Sequence, residues 1–277
     1  MFTWVIYVFI FVFGACLGSF INVVIHRLPR ELSLVRPHSM CPQCGAQIAW
    51  YDNLPLLSYL ILQGRCRKCG ASIAPRYFIV ELTVGLLTLA VYVKFGLTLH
   101  AFFGLYLVLS LVAITYIDLD EMIIPDRITL PGITIGLLAA IIAPNWDLIG
   151  PWLGGRLISW GLTNFRLISL SGSVLGLFLG GATVWLIFKL YYLVRKEEGI
   201  GGGDFTLLSM IGAFLGWRSV FVSLFFGSVI GLVVVIGMAV WRRELDSRTR
   251  LPFGPFLSLA ALVYLFFGEA ILKWYLP

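Results

Sequence analysis

Eight apolar runs divide this chain: residues 2–25, 77–93, 97–117, 128–143, 170–194, 205–217, 220–241 and 253–272. About twenty apolar residues cross a hydrocarbon core roughly 30 Å thick. Inside that core each backbone polar group must be satisfied within its own segment, which leaves helices for an isolated run. The runs therefore predict an all-α polytopic membrane protein with about eight transmembrane helices. Composition agrees, with 60% hydrophobic and 12% charged residues and a mean hydropathy of +0.95 over 277 residues, well beyond a soluble domain. The run 205–217 is too short to cross at 1.5 Å per residue. The glycine run before it is expected to enter the membrane as irregular backbone lining a polar cavity.

Basic residues set the orientation. If the first run ends in the cytoplasm, the inner segments hold Arg27, Arg30, Arg36, Arg65, Arg67, Lys68, Arg76, Arg127, Lys189, Arg195, Lys196, Arg242, Arg243, Arg248 and Arg250. The outer segments hold only Lys94, Arg156, Arg166, Arg218 and Lys273. Fifteen against five, of 20 in all, is a strong positive-inside asymmetry. The net charge of +6 thus reads as topology plus attraction to anionic membrane lipid, and no nucleic-acid partner is expected. Both termini would face outward. The first run is long and lacks a charged leading region, so it reads as an anchor rather than a cleaved signal peptide.

The runs suggest three parts: a first transmembrane helix over residues 1–26, a polar cytoplasmic insert over 27–76, and a membrane domain over 77–277. The insert carries Cys41-Pro42-Gln43-Cys44-Gly45 and Cys66-Arg67-Lys68-Cys69-Gly70. Two Cys-x-x-Cys pairs supply four thiolates for a tetrahedral structural Zn²⁺ site, each trailing glycine suiting the turn around the metal. Two disulfides are the alternative, which a reducing cytoplasm disfavours. A closed four-sulfur site leaves no position for a substrate water, so the metal would fold the insert. Cys16, inside the first run, reads as an ordinary buried thiol. Outside the insert, the loop 144–169 carries Trp146, Trp152 and Trp160, which suit interfacial anchors.

Two carboxylates stand at the water ends of apolar runs. Asp118 directly follows Ile117, and Asp204 closes Gly199-Ile200-Gly201-Gly202-Gly203. Ionisable groups at membrane depth default to function. An even number of runs separates the two, so both emerge on the same side. Paired carboxylates can share one proton and activate a water, as in aspartic proteases. Asp120, Glu121 and Asp126 cluster beside Asp118; the first two also suit a solvated edge, and Asp126 a helix N-cap. The glycines Gly201, Gly202 and Gly203 would let a peptide backbone approach closely. Glu81, near Arg76, reads as a contact to substrate or cofactor, or else as a structural partner of an arginine. The three histidines His26, His38 and His100 are too scattered to form a metal site.

These residues together resemble the type IV prepilin peptidases, also called type IV leader peptidases. The resemblance covers nearly the whole chain and runs through five motifs in order. They are Gly18-Ser19-Phe20-Ile21-Asn22-Val23-Val24-Ile25-His26-Arg27-Leu28-Pro29, the cysteine pairs, Arg76-Tyr77-Phe78-Ile79-Val80-Glu81-Leu82, the segment from Asp118 to Asp126, and Gly201-Gly202-Gly203-Asp204-Phe205. Gly202 fills the variable place of the family's Gly-x-Gly-Asp signature. The tryptophan loop is longer than expected for the family. The resemblance implies a bifunctional enzyme of the bacterial inner membrane with Asp118 and Asp204 as catalytic pair. Its substrates would be prepilins or pseudopilins, each with a basic cytoplasmic leader and an apolar helix, cut after a glycine at that boundary. It also implies N-methylation of the new N-terminus with S-adenosylmethionine, an activity associated with the cysteine insert. A role for Gly201–Gly203, Asp120, Glu121, Asp126 and Glu81 in binding substrate goes with it.

Two other classes compete. A proton-coupled transporter also uses membrane acids and broken glycine-rich helices, but no inverted repeat is present and the acids lie at an edge. A non-enzymatic scaffold of pilus or secretion assembly would need the cysteines and be indifferent to Asp118 and Asp204.

Overall fold

The computed structural model describes residues 3–36, 38–145, 156–159, 161, 163–196, 202–242 and 251–275. Trp146, Trp152, Trp160, Glu197, Glu198, Gly199 and Gly201 lie outside the described residues. Among the described residues the main helices are α1 (Thr3–Arg27), α2 (Leu57–Ile61), α3 (Pro75–Phe95), α4 (Leu99–Glu121), α5 (Asp126–Ile142), α6 (Phe165–Arg195), α7 (Gly202–Leu215), α8 (Trp217–Arg242) and α9 (Gly254–Tyr275). Among the described residues there is no strand, only the isolated bridges Met40–Gln47 and Arg65–Ser72. This is an all-α polytopic membrane protein. Among the described residues six helices, α1, α3, α4, α6, α8 and α9, are long and apolar enough to cross a membrane. The expected eight are therefore not reached on length: α5 has 17 residues and α7 only 14, about 25 and 21 Å at the helical rise.

The chain divides into two compact units, residues 1–101 and 102–277. In the first, α1 and α3 pack antiparallel through small residues. A Cβ on Gly14 would meet Thr88 and Gly85, and one on Gly18 would stand 2.7 Å from the Glu81 Cα. Such close approach is how membrane helices gain packing where no hydrophobic drive exists. Asn22 Nδ2 continues the seam by donating to the Tyr77 carbonyl at 3.1 Å. α3, which the apolar runs grouped with the later spans, is thus the partner of α1, with the insert between them.

The second unit holds α5–α9 and nearly all of α4 around Leu107, Leu111, Ile114, Leu207, Leu208, Met210 and Ile211. Past its polar first turn α7 is enclosed on every side, with residues Leu207 to Ala213 all buried. α6 runs antiparallel beside it. Ser173 Oγ donates to the Ala213 carbonyl, and Gly176, Gly180 and Gly181 face Gly212, Leu208 and Phe205 in turn.

Candidate functional site

Asp118 lies in the last turn of α4 and is only 5% exposed. One of its oxygens, Oδ2, accepts the backbone N–H of Gly254 at 2.9 Å. Gly254 opens α9, where unsatisfied N–H groups and the helix dipole favour an anion. Three residues after Asp118 the helix ends at Glu121. Met122 takes a positive φ of 54° while its N–H returns to the Asp118 carbonyl at 3.0 Å, and the chain turns through Ile123 and Ile124 to Pro125.

Ile124 joins the surrounding elements. A Cβ on Gly203 would stand 2.6 Å from the Ile124 Cβ, and one on Gly254 3.2 Å from Ile124 Cδ1. The first turn of α7, the first residue of α9 and the α4–α5 link therefore meet around one side chain. Asp204, half-buried in that first turn of α7, is near enough to feel the charge of Asp118. Two carboxylates far apart in sequence thus share one polar spot in an apolar bundle.

The other sequence-nominated residues divide around this spot. Asp126 is the first residue of α5 rather than its N-cap, since Pro125 holds that place. Its Oδ1 lies 3.2 Å from the Thr206 hydroxyl, which also reaches the Gly203 carbonyl at 3.0 Å. Asp120 and Glu121 are exposed on the same α4 end. Gly202 and Gly203 correct the expectation of irregular backbone, because both belong to the first turn of α7. Once their side-chain-free faces are packed or open as the site needs, the helix costs less than a bare loop. Ile124, Thr206 and Gly254 were not singled out in the sequence. No charge or metal-ligand signal marks an isoleucine, a threonine or a glycine whose role is to stand close.

The first unit holds a different centre. The four sulfurs of Cys41, Cys44, Cys66 and Cys69 all lie within 4.8 Å of one another, with Cys41 and Cys69 Sγ 3.8 Å apart. No disulfide links them. A tetrahedral metal with bonds of about 2.3 Å requires sulfur separations of about 3.8 Å. Both halves repeat one backbone design. Gly45 N–H bonds to the Cys41 carbonyl and Gly70 N–H to that of Cys66, each at 2.9 Å. Gly45 and Gly70 take φ of 64° and 69°, where a Cβ would be strained. The N–H groups of Cys44 and Gln43 pull the Cys41 thiol down to about 6, toward the thiolate that ligates metal, while burial and the neighbouring sulfurs push the Cys69 thiol up to about 11. The residues fit a four-coordinate soft metal.

Glu81, half-buried on α3, sits in this unit. Its Oε2 accepts the Leu56 N–H at 2.8 Å, and its backbone packs against Gly18 on α1. The arginine partner weighed for it is not the one these contacts provide.

Two family models cover most of the chain between them. The bacterial peptidase A24 N-terminal domain matches residues 12–95 and the type IV leader peptidase family matches residues 105–236. The chain is 36% identical to a prepilin leader peptidase/N-methyltransferase of Aeromonas hydrophila, covering 99% of this chain and 94% of that protein. It is 35% identical to the one of Pseudomonas aeruginosa, over 95% and 91%. For the one of Legionella pneumophila the identity is 31%, over 99% and 95%. No solved structure matches it significantly. Full-length identity at these levels, on a chain with this pair of centres, makes it a member of the type IV leader peptidase family.

Proposed function

We propose that this chain cleaves the leader from prepilins or pseudopilins at the cytoplasmic face of a bacterial inner membrane and N-methylates the new terminus. The observation that carries the first half is the juxtaposition of Asp118 and Asp204 around Ile124. One carboxylate, ionised, takes a proton from water as the oxygen attacks the scissile carbonyl. The other, protonated, donates to the departing nitrogen as the C–N bond breaks. The pair titrates as a unit, so neither residue is fixed as acid or base.

A helical amide is already hydrogen-bonded, so the substrate must unwind at the cut. Gly202, with nothing within 4 Å of where its Cβ would stand, leaves room for that strand. Asp120, Glu121 and Asp126 would receive the leader's basic residues. The inside-rich distribution of arginine and lysine supports the cytoplasmic orientation.

Incubation of purified protein with a prepilin peptide, followed by mass measurement of the product N-terminus, tests the reading. Asp118→Asn and Asp204→Asn each abolish cleavage while the protein still inserts in membranes; an active Asp204→Asn enzyme refutes the scheme. Reversing the charge of Asp120 and Glu121 raises KM more than it lowers kcat, and the opposite split removes them from leader binding.

The second half rests on the relatives' shared name and on the insert. Cys41, Cys44, Cys66 and Cys69 would hold a structural Zn²⁺ that fixes the insert's fold. S-adenosylmethionine, when bound, supplies the methyl group. Among the described residues no strand leads into a glycine-rich loop of the dinucleotide-binding type. In this half Glu81 serves by tying the insert to α1 and α3. Adding S-adenosylmethionine to the peptide assay should move the product by one methyl mass.

A further inference from the structure

The insert contains a helix whose amphipathicity is reversed. On α2, Ser58 is buried and Tyr59 turns inward, its ring 5.4 Å from that of Phe78 and its hydroxyl 3.3 Å from the Ile73 carbonyl. Leu57, Leu60 and Ile61, at one-turn spacing, are 58%, 60% and 72% exposed. Just before them, Trp50 is 79% exposed and Tyr51 and Leu54 about half. A water-facing surface of this kind would be costly, since each large side chain leaves roughly 1.5–3 kcal/mol of burial unused.

Its height relative to the membrane helices is fixed by two contacts. Leu56 N–H bonds to Glu81, six residues into α3, and Tyr59 rests on Phe78, three residues in. The Glu81 backbone also packs against Gly18, nine residues before α1 ends at Arg27. At 1.5 Å per residue these positions lie about 5–14 Å below the helix ends. The insert leaves α1, folds back along the helix pair, and brings α2 down beside the first two turns of α3. That is the depth at which interfacial helices bury their apolar faces, about 5–10 Å into the headgroup boundary.

We propose that Trp50, Tyr51, Leu54, Leu57, Leu60 and Ile61 form a foot that sits in the lipid leaflet on the insert's side. The foot immobilises the four-cysteine insert against the membrane surface. Charge favours the same occupant, because residues 27–76 carry seven Arg and Lys against Glu31 and Asp52, suiting anionic headgroups. Tryptophan and tyrosine at its edge are the interfacial residues. Arg67 then links foot to metal centre. It holds Asp52 at 2.6 Å, lies over the Tyr51 ring, and stands between Cys66 and Cys69. The inference rests on the membrane architecture alone and survives failure of the enzymatic reading.

A photoreactive benzoylphenylalanine placed at Leu57, Leu60 or Ile61 of the full-length protein tests it in nanodiscs of phosphatidylethanolamine and phosphatidylglycerol. Lys68, exposed on the second cysteine turn, is the control. Illumination and intact-mass measurement should give lipid adducts at the three foot positions about tenfold above the control, as for groups immersed in the boundary. Adducts to a second copy of the chain, adducts to another segment of the same chain, or foot labelling no greater than at Lys68 each overturn the proposal. Because one foot position is replaced at a time and each is exposed, the fold is retained. One Zn²⁺ per chain in every variant verifies it.

Discussion

Asp118 is held by a glycine. Gly254 supplies the N–H, and a Cβ there would stand 2.6 Å from the same Oδ2 that accepts it. Gly203 is equally confined, against Ile124, whereas Gly202 opens onto free space. This separates two adjacent glycines that the sequence presents as equivalents. Gly203→Ala and Gly254→Ala should each lower kcat by about 10²-fold, the cost of roughly 1 Å of misplacement, with KM little changed. Gly202→Ala should leave cleavage unaltered. Steady-state rates on a prepilin peptide decide it, and an active Gly254→Ala enzyme would show that the Asp118 carboxylate does not need its present place. The acidic residues were legible in the sequence because a charge at the end of an apolar run is conspicuous. Ile124 and Gly254 were not, because their contribution is shape.

At the scale of elements, α7 has only 14 residues and depends on its neighbours. Its contact with α6 runs backbone to backbone at Gly176 and Gly212, where a Cβ on either would overlap the other's main chain. Gly176→Leu should therefore destabilise the bundle by more than the about 1–3 kcal/mol usual for overpacking, since backbone cannot step aside. Gly237→Ala on α8 meets nothing within 4 Å and should be neutral or slightly stabilising, as Gly to Ala in a helix is. Thermal unfolding in detergent reads both, and equal losses would contradict this account of the interface. Gly176, Gly180 and Gly181 suit close packing but do not name its partner, since several helices carry glycines. The run 205–217 was equally readable as too short to span. That the glycines ahead of it would join the helix depended on Ile124 covering Gly203.

For the whole molecule, the two centres are built within separate units, the carboxylates in residues 102–277 and the cysteines in residues 1–101. Each can then be damaged alone. A Cys41→Ser, Cys44→Ser variant should lose its metal and methyl transfer while retaining most cleavage. The metal is counted by elemental analysis and the two activities by product mass. Loss of cleavage together with methylation would make the insert part of both steps. Hydropathy and the order of motifs were enough to determine a polytopic helical protein with a four-cysteine insert and a pair of acids on one side. Those properties follow from composition along the line of the chain, where lipid permits only helices and each cysteine pair is local. Tertiary structure alone decided that Gly254, remote in sequence, meets Asp118, that α3 pairs with α1, and that α2 turns its leucines outward. Each depends on which surfaces touch, and contact between distant segments follows from shape and backbone geometry that no local pattern encodes.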